Sequence, residues 1–525
     1  MSINSFDNYP MSWKPDLSRA SGPKYLALVS LMEDDIKNGT LKAGTKLPPQ
    51  RELADYLNVN LSTISRAFKL CSQKGLLSAS VGNGTYVCAD VTAETVLLCG
   101  RENPRMIEMG ALVPQVSGNR LAKSYTERLL KRPDALNLFS YDDPEGTGLQ
   151  REAGVAWFQK SGFHTDKEHV LLAAGGQNAL TASLGALLER GNKLGTDPLT
   201  YPGVKNAAKL LGIHLIPIQN NGYEMTEEGI RYAIQNERIK GIYVIPDYHN
   251  PTSHIMPLET RKMIAGLARE KNILVIEDGI NNLLAENPLP PIASFAPEQV
   301  IYLSSLSKTI AAGLRTAYVH VPDQYHRGLA TALYSMNISI SPLLAAVSAG
   351  LITDGIADEI IWGRKEELRR RNHVISQSLK GFVLDCPPTS PMRYLRLPDY
   401  FTGKSFEICA RQAGVQVYGA ERFSVGNKPA EKAVRISVIT PPSMKDLEEG
   451  LRRLGGGYCN IQSENHWVKS TLPLRKSEVP WSTASLRPSG VPSGNTGTKI
   501  PSRMPISCTL LPCIFPSIYC STVHL

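Results

Sequence analysis

Gln299-Val300-Ile301-Tyr302-Leu303 runs straight into Ser304-Ser305-Leu306-Ser307-Lys308-Thr309 and then Gly313-Leu314-Arg315. A short apolar run that ends abruptly on hydroxyls reads as a buried strand whose carboxyl end opens into a polar turn. Three further runs have the same character: His169-Val170-Leu171-Leu172, Gly241-Ile242-Tyr243-Val244-Ile245 and Ile273-Leu274-Val275-Ile276. Longer amphipathic segments separate them. Strands alternating with helices predict a largely parallel α/β sheet, and ligands of such sheets gather at the strand carboxyl ends, where Lys308 lies.

At 525 residues the chain is too long for one ordinary domain and calls for two or three. Hydrophobic residues make up 42% and charged residues 20%, the balance of a soluble protein with a sizeable core. The net charge of +9 fits a nucleic-acid partner without requiring one, since basic and acidic residues nearly cancel over the first ninety positions. Nine cysteines lack regular spacing, no secretory leader is visible, and no run of about eighteen apolar residues spans a membrane. Free thiols in a reducing cytoplasm are therefore expected. Cys508, Cys513, Cys520 and His524 match no familiar ligand spacing, so no metal is expected.

Along the chain, residues 1–20 read as a flexible lead-in, 21–90 as a small helical domain with a hairpin, and 91–135 as a linker. Residues 136–455 form the α/β part. Its smaller α+β subdomain occupies about 355–455 and opens with a long polar-faced helix from Glu359 to Leu379. Residues 456–525, introduced by Gly455-Gly456-Gly457 and rich in Ser, Pro and Thr, read as a disordered low-complexity tail.

Separated elements of the α/β part converge on one chemistry. Asp278 ends the run Leu274-Val275-Ile276-Glu277-Asp278, where a carboxylate can pair with a protonated pyridine nitrogen. Asn250, in Tyr248-His249-Asn250-Pro251-Thr252, can donate to a phenolate oxygen. Lys308 supplies an amine for a Schiff base. Ser305 and Arg315 bracket that lysine and suit a phosphate dianion. Gly176 and Gln177, in Ala174-Gly175-Gly176-Gln177-Asn178, join a strand to a helix whose free N–H groups suit the same phosphate. Tyr201, in Asp197-Pro198-Leu199-Thr200-Tyr201-Pro202-Gly203, can stack on a ring. Each piece alone is an ordinary turn or cap. In this order they point to pyridoxal 5'-phosphate.

The N-terminal part carries a different signal. Gln50 to Leu57 is read as a helix with Leu53, Ala54 and Leu57 inward, and Asn58-Val59-Asn60 as a turn. Ser62 caps or begins a second helix with Ile64, Ala67 and Phe68 inward and Thr63, Arg66 and Lys69 outward. Gly82-Asn83-Gly84 tips a hairpin ending in Thr85-Tyr86-Val87, which makes a winged helix-turn-helix suited to a major groove. The string resembles the GntR family over Leu47-Pro48-Pro49-Gln50-Arg51-Glu52-Leu53-Ala54, Ser62-Thr63-Ile64-Ser65-Arg66-Ala67-Phe68 and Gly82-Asn83-Gly84-Thr85-Tyr86-Val87. The resemblance implies DNA contacts by Arg51, Ser62, Thr63 and Gly82 or Gly84. Leu61 departs from the arginine or serine common at that corner.

The second half resembles fold-type I aminotransferases, and residues 20–455 together resemble the MocR-type regulators of the GntR superfamily, more narrowly their YdcR-like branch. The expected fold class is α/β, with a small winged helix-turn-helix joined to a large three-layer domain and a smaller α+β subdomain. The resemblance implies that Arg435, in Ala433-Val434-Arg435-Ile436-Ser437, grips a substrate carboxylate. It implies a head-to-tail homodimer, double-stranded DNA and a small amino compound as partners. Gly279-Ile280-Asn281-Asn282 lacks the family's tyrosine, Asn192 replaces an aspartate and Ser253 a glycine. The expected function is a transcription regulator sensing an amino compound through pyridoxal phosphate on Lys308. An active aminotransferase with a vestigial DNA-binding domain, and a sensor of the cofactor itself, stay open beside it.

Overall fold

The computed structural model describes residues 11–19, 22–42, 44–74, 76–80, 84–88, 106–116, 119–379 and 386–462. The first part comprises α1 (Lys24–Lys37), α2 (Gln50–Tyr56), α3 (Leu61–Gln73) and an antiparallel hairpin of β1 (Leu77–Ser80) and β2 (Gly84–Val87). Leu28, Val29, Met32 and Ile36 recur on one face of α1 and pack with Leu53, Ala54, Ile64, Ala67, Phe68 and Cys71 in one core. Asn58 takes a left-handed φ of 50° in the turn. The α3 cap is Asn60 rather than Ser62: the Asn60 side chain accepts the Ser62 N–H at 3.0 Å, because the helix starts one residue before Ser62. Within the expected lead-in, Trp13 is buried in this core and its indole N–H donates to Asp35.

The stretch 91–135, read as a linker, carries β3 (Ile107–Glu108) and α4 (Asn119–Leu129) among its described residues. Met109, Ala111 and Leu112 are buried. A two-residue strand has no hydrophobic period for a sequence to display, and α4 buries only Ala122 and Leu129.

The large domain is built on β4 (Val170–Ala173), β5 (Lys193–Thr196), β6 (His214–Pro217), β9 (Gly241–Val244), β10 (Leu274–Asp278), β11 (Val300–Ser305) and β12 (Ala317–His320). A small hairpin of β7 (Asn220–Asn221) and β8 (Glu224–Met225) follows β6. The sheet order is β4-β12-β11-β10-β9-β5-β6, parallel throughout except for β12, which is antiparallel to both neighbours.

Both faces of this sheet are covered, so alternate residues of each strand enter different cores. Leu172, Ile242, Val244, Val275 and Val300 meet α5 (Gly148–Gln159), α8 (Glu227–Tyr232), α9 (Leu258–Lys271) and α11 (Pro342–Thr353). Leu171, Ile245, Ile276, Ile301 and Leu303 meet α6 (Gly176–Leu187), α7 (Pro202–Leu211) and α10 (Asp323–Asn337).

The smaller subdomain holds α12 (Ile356–Ser378), an antiparallel sheet of order β13 (Met392–Arg396), β16 (Ala433–Ser437), β15 (Tyr418–Gly419), and helices α13 (Gly403–Gln412) and α14 (Met444–Gln462). β14 (Val415–Gln416) pairs in parallel with β3 and ties the N-terminal segment to this subdomain. Helix α14 continues through Gly455-Gly456-Gly457, where the tail was expected to open. Residues 463–525, including Cys508, Cys513, Cys520 and His524, lie outside the described residues. Among the described residues no helix is long and apolar enough to cross a membrane.

Candidate cofactor site and DNA-binding face

The register of the parallel strands β10 and β11 sets Asp278 opposite Leu303, so the two carboxyl ends open on the same side of the sheet. Ser305 closes β11. Its hydroxyl donates to the Ser307 hydroxyl at 3.0 Å, and the Ser307 N–H donates back at 3.3 Å. Arg315 reaches the Ser307 hydroxyl at 3.4 Å and the Ala174 carbonyl at 3.1 Å.

Opposite these groups, β4 turns into α6 through Gly175, whose φ is 87°. A Cβ on Gly175 would stand 2.5 Å from the Arg315 guanidinium, so only glycine lets the backbone come this close. A Cβ on Gly176 would touch Ser305 at 3.4 Å. Two hydroxyls, a guanidinium and the positive N-terminus of a twelve-residue helix thus form a cup for a dianion. Gln177 sits in the first turn, and its side-chain NH2 donates to the Gly203 carbonyl at 3.0 Å, bracing the turn that carries Tyr201.

Asp278 is buried and accepts from the Tyr243 hydroxyl at 2.8 Å and the Ile280 N–H at 3.3 Å. Burial raises its pKa, against the pull of Tyr243, Ile280 and Lys308. A cation beside this carboxylate restores its charge. Tyr201 feels the charges of Asp278, Arg435 and Arg315, which places all four in one electrostatic neighbourhood.

Arg435 is fully buried. Its guanidinium donates to the Asn250 amide oxygen at 2.6 Å and to the Gly110 carbonyl, and it lies over the Phe423 ring. The bond to Arg435 leaves the Asn250 NH2 as that residue's donor. Among the described residues Arg435 has no carboxylate partner, and its Nε makes no hydrogen bond. The two arginines buried as completely pair with carboxylates, Arg261 with Asp247 at 2.7 Å and Arg371 with Glu367 at 2.6 Å, whereas Arg393 and Arg364, slightly less buried, bond amide, hydroxyl or carbonyl oxygens.

Lys308 donates to the Leu112 carbonyl. Burial, then Arg435 and Arg315, bring its pKa down to about 8. At pH 7 roughly one lysine in ten is then the free amine, against roughly one in three thousand at the ordinary value of 10.5. Only the free amine attacks a carbonyl. Capture of pyridoxal phosphate by cofactor-free protein should therefore speed up with rising pH and level off above about 8. Arg435→Met removes one repelling cation and should move that midpoint upward; stopped-flow absorbance against pH reads both.

Taken together, the anion cup, the buried carboxylate, the stacking tyrosine and the depressed lysine match the phosphate, ring nitrogen, ring face and aldehyde of pyridoxal phosphate. Sequence reading named most of these residues and missed two side chains, Ser307 and Tyr243. A tyrosine inside an otherwise aliphatic strand next to that of Asp278 was the available signal for Tyr243.

On the N-terminal part, Arg51, Ser62 and Arg66 are exposed and Thr63 is half-buried. The Arg66 guanidinium stacks 3.9 Å from the Tyr25 ring centroid, so it is braced by α1. Ser65 donates to the Gln50 side chain at 2.7 Å, linking α2 to α3. Gly84 opens β2 at φ 102° against Lys46, while Gly82 lies outside the described residues.

Residues 24–87 match the family of bacterial regulatory proteins of the gntR type, and residues 107–454, more than half of the chain, match aminotransferase class I and II. An HTH-type transcriptional regulator of Bacillus subtilis, YdeF, is 47% identical over 86% of this chain and 98% of its own length. The chain belongs to the MocR-type regulators. The rhizopine catabolism regulatory protein MocR of Rhizobium meliloti, described as probable, is 25% identical over 70% of this chain and 78% of its own. The α-aminoadipate aminotransferase LysN of Thermus thermophilus shares the fold, with a TM-score of 0.62 at 22% identity over 69% of this chain and 94% of that one.

As a MocR-type protein this chain is a transcription regulator with a DNA-binding head, and its cofactor is pyridoxal phosphate. Its departures from the pattern have structural settings. Asn281 is buried and donates to the Tyr248 carbonyl at 3.2 Å, so it is engaged in bracing the Asn250 turn. Ser253 holds a φ of 64°, fixed by its N–H to His249 and its hydroxyl to Met392. Asn192 accepts the Glu189 N–H at 3.2 Å in the turn before β5.

Proposed function

We propose that this regulator senses a small amino compound bearing a carboxylate, by exchange at Lys308, and that the exchange changes DNA affinity. The observation that carries the reading is Arg435: a fully buried guanidinium without a carboxylate partner among the described residues, within electrostatic reach of Lys308, the lysine proposed to carry the cofactor. Leaving a buried charge unpaired is unfavourable, and a bidentate carboxylate is its natural counterpart.

When bound, the cofactor supplies an aldehyde that reacts with primary amines. The protein's own groups do the rest. Ser305, Ser307, Arg315 and the amides at Gly176 and Gln177 would hold its phosphate. Asp278, which accepts from Tyr243, would keep its ring nitrogen protonated. Tyr201 would stack on its ring, and Asn250 would donate to its phenolate oxygen. Arg51, Ser62, Thr63, Arg66, Gly82 and Gly84 meet the operator.

The Gly110 and Leu112 carbonyls, which contact Arg435 and Lys308, lie on the segment leading from the DNA-binding part. A ligand that takes either partner therefore acts directly on that segment. For ligand binding to shift operator affinity about a hundredfold, the two states must differ by about 2.7 kcal/mol in ligand affinity. Leu136, Phe139, Tyr141 and Leu149 are exposed apolar side chains close together in sequence, which supports a homodimer; its head-to-tail arrangement is what the family resemblance implies. A cytoplasmic location belongs to the same reading.

The test is operator affinity across a panel of amino acids, with the wild type and Lys308→Ala both supplied with cofactor. At least one amino acid should shift the wild-type midpoint about tenfold or more and leave Lys308→Ala unmoved. An equal shift in both proteins would remove Lys308 from the sensing step.

A further inference from the structure

A cavity of about 610 Å³ lies behind the two turns that present Tyr201 and Asn250. Its floor is formed by Asp197, Asn220, His249 and Thr252, and its outer wall by the loop from Ser424 to Glu431. Lys205 fixes that loop by donating to the Arg422 and Ser424 carbonyls, and across the partition the Thr200 N–H donates to the Phe423 carbonyl and the Val425 N–H to the Pro198 carbonyl. The volume is that of a small-molecule site.

Its polar groups face inward with acceptors to spare. Asp197 is buried at 5% exposure and takes one hydrogen bond from the Asn220 side chain at 2.8 Å. The other Asn220 amide atom, Oδ1, is buried with no hydrogen-bond partner. His249, 7% exposed, bonds Thr252 through Nδ1 and holds Nε2 3.5 Å from the Asp197 carboxylate. Burial brings the Asp197 pKa up to about 7 and the His249 pKa down to about 3, so the histidine contributes no cation. Of the other acids on the lining, Glu237 is held by Lys193, while Glu431 stands at the rim near Tyr223; the exposed Lys428 is the basic residue there.

We propose that this cavity is a separate, non-covalent binding site for a small primary ammonium compound, seated on Asp197 and the Asn220 carbonyl with its carbon chain against Tyr223 and Tyr232. Donors on the ligand satisfy the two acceptors that the fold leaves open, and the aromatic walls suit its apolar chain. An occupant ties together the turns Asp197–Tyr201 and His249–Thr252 from behind, and so stiffens the side chains that face the cofactor. The site works without Lys308 and stands independently of the sensing reaction proposed above.

The experiment is calorimetric titration of full-length Lys308→Ala protein, free of cofactor, with n-butylamine, and with 1-butanol as the uncharged control. Saturable binding of one amine per chain and none of the alcohol is expected. Adding Asp197→Asn should weaken it about tenfold, and Asn220→Ala at least about threefold. If Asp197→Asn does not fold, Asn220→Ala decides alone. Absence of saturable binding, or binding untouched by the substitutions, overturns the proposal. No cofactor or operator enters this measurement, so its failure is distinct from a failure of the sensing reading.

Discussion

Arg435→Met should raise the concentration of amino acid needed to shift operator binding by about a hundredfold or more. Truncating one partner of a buried, hydrogen-bonded charge pair costs about 2–5 kcal/mol, and 2.7 kcal/mol is about a hundredfold. Methionine fills much of the space over Phe423 and carries no charge. In the unliganded protein the substitution relieves a buried guanidinium that has no carboxylate partner, yet strands the Asn250 amide oxygen and the Gly110 carbonyl that it bonds. These terms oppose one another, so folding stability should change far less than ligand response. Amines lacking a carboxylate should be affected little. A loss equal for both ligand types would show that Arg435 supports the site as a whole and does not read the carboxylate.

Arg51→Ala should lower operator affinity about a hundredfold at fixed salt while leaving cofactor absorption unchanged. Arg51 is exposed near the start of α2, and its neighbours Leu53 and Ala54 carry the packing, so alanine there keeps the helix and its core. A guanidinium on a base edge or phosphate is worth about 1–3 kcal/mol, the upper end of which gives this loss. If the contact is to phosphate, the salt dependence of log affinity should also become shallower by about one unit. Unaltered affinity in a gel-shift titration would place the operator on another face.

The sheet was readable where strands are covered on both sides. Val170–Leu172, Ile242–Ile245, Leu274–Ile276 and Val300–Leu303 present continuous apolar runs because alternate residues enter two different cores. Lys193-Leu194-Gly195-Thr196 offers no such run, being short with a glycine at its centre, although it pairs with both β6 and β9. The segment 106–113 was illegible for another reason. It acts mainly through backbone: a two-residue strand and the carbonyls of Gly110 and Leu112, which any sequence can supply.

The site divides in the same way. Lys308, Asp278, Asn250 and Arg315 were visible because charged or amide residues at strand ends have few structural uses. Tyr243 was hidden inside a strand whose aliphatic neighbours account for it equally well as core. The cavity behind Asn250 was out of reach of any linear reading, since Asp197, Asn220 and His249 come together only after β5, the β7–β8 hairpin and the Asn250 turn have packed.

The account depends on a carbonyl cofactor carried by the amine of Lys308. Purified full-length protein should be incubated with pyridoxal phosphate, reduced with borohydride, digested and mapped by mass spectrometry. A single reduced phosphopyridoxyl adduct per chain, on the peptide containing Lys308 and nowhere else, is the predicted result. An unmodified Lys308, or a label spread over surface lysines, would contradict it.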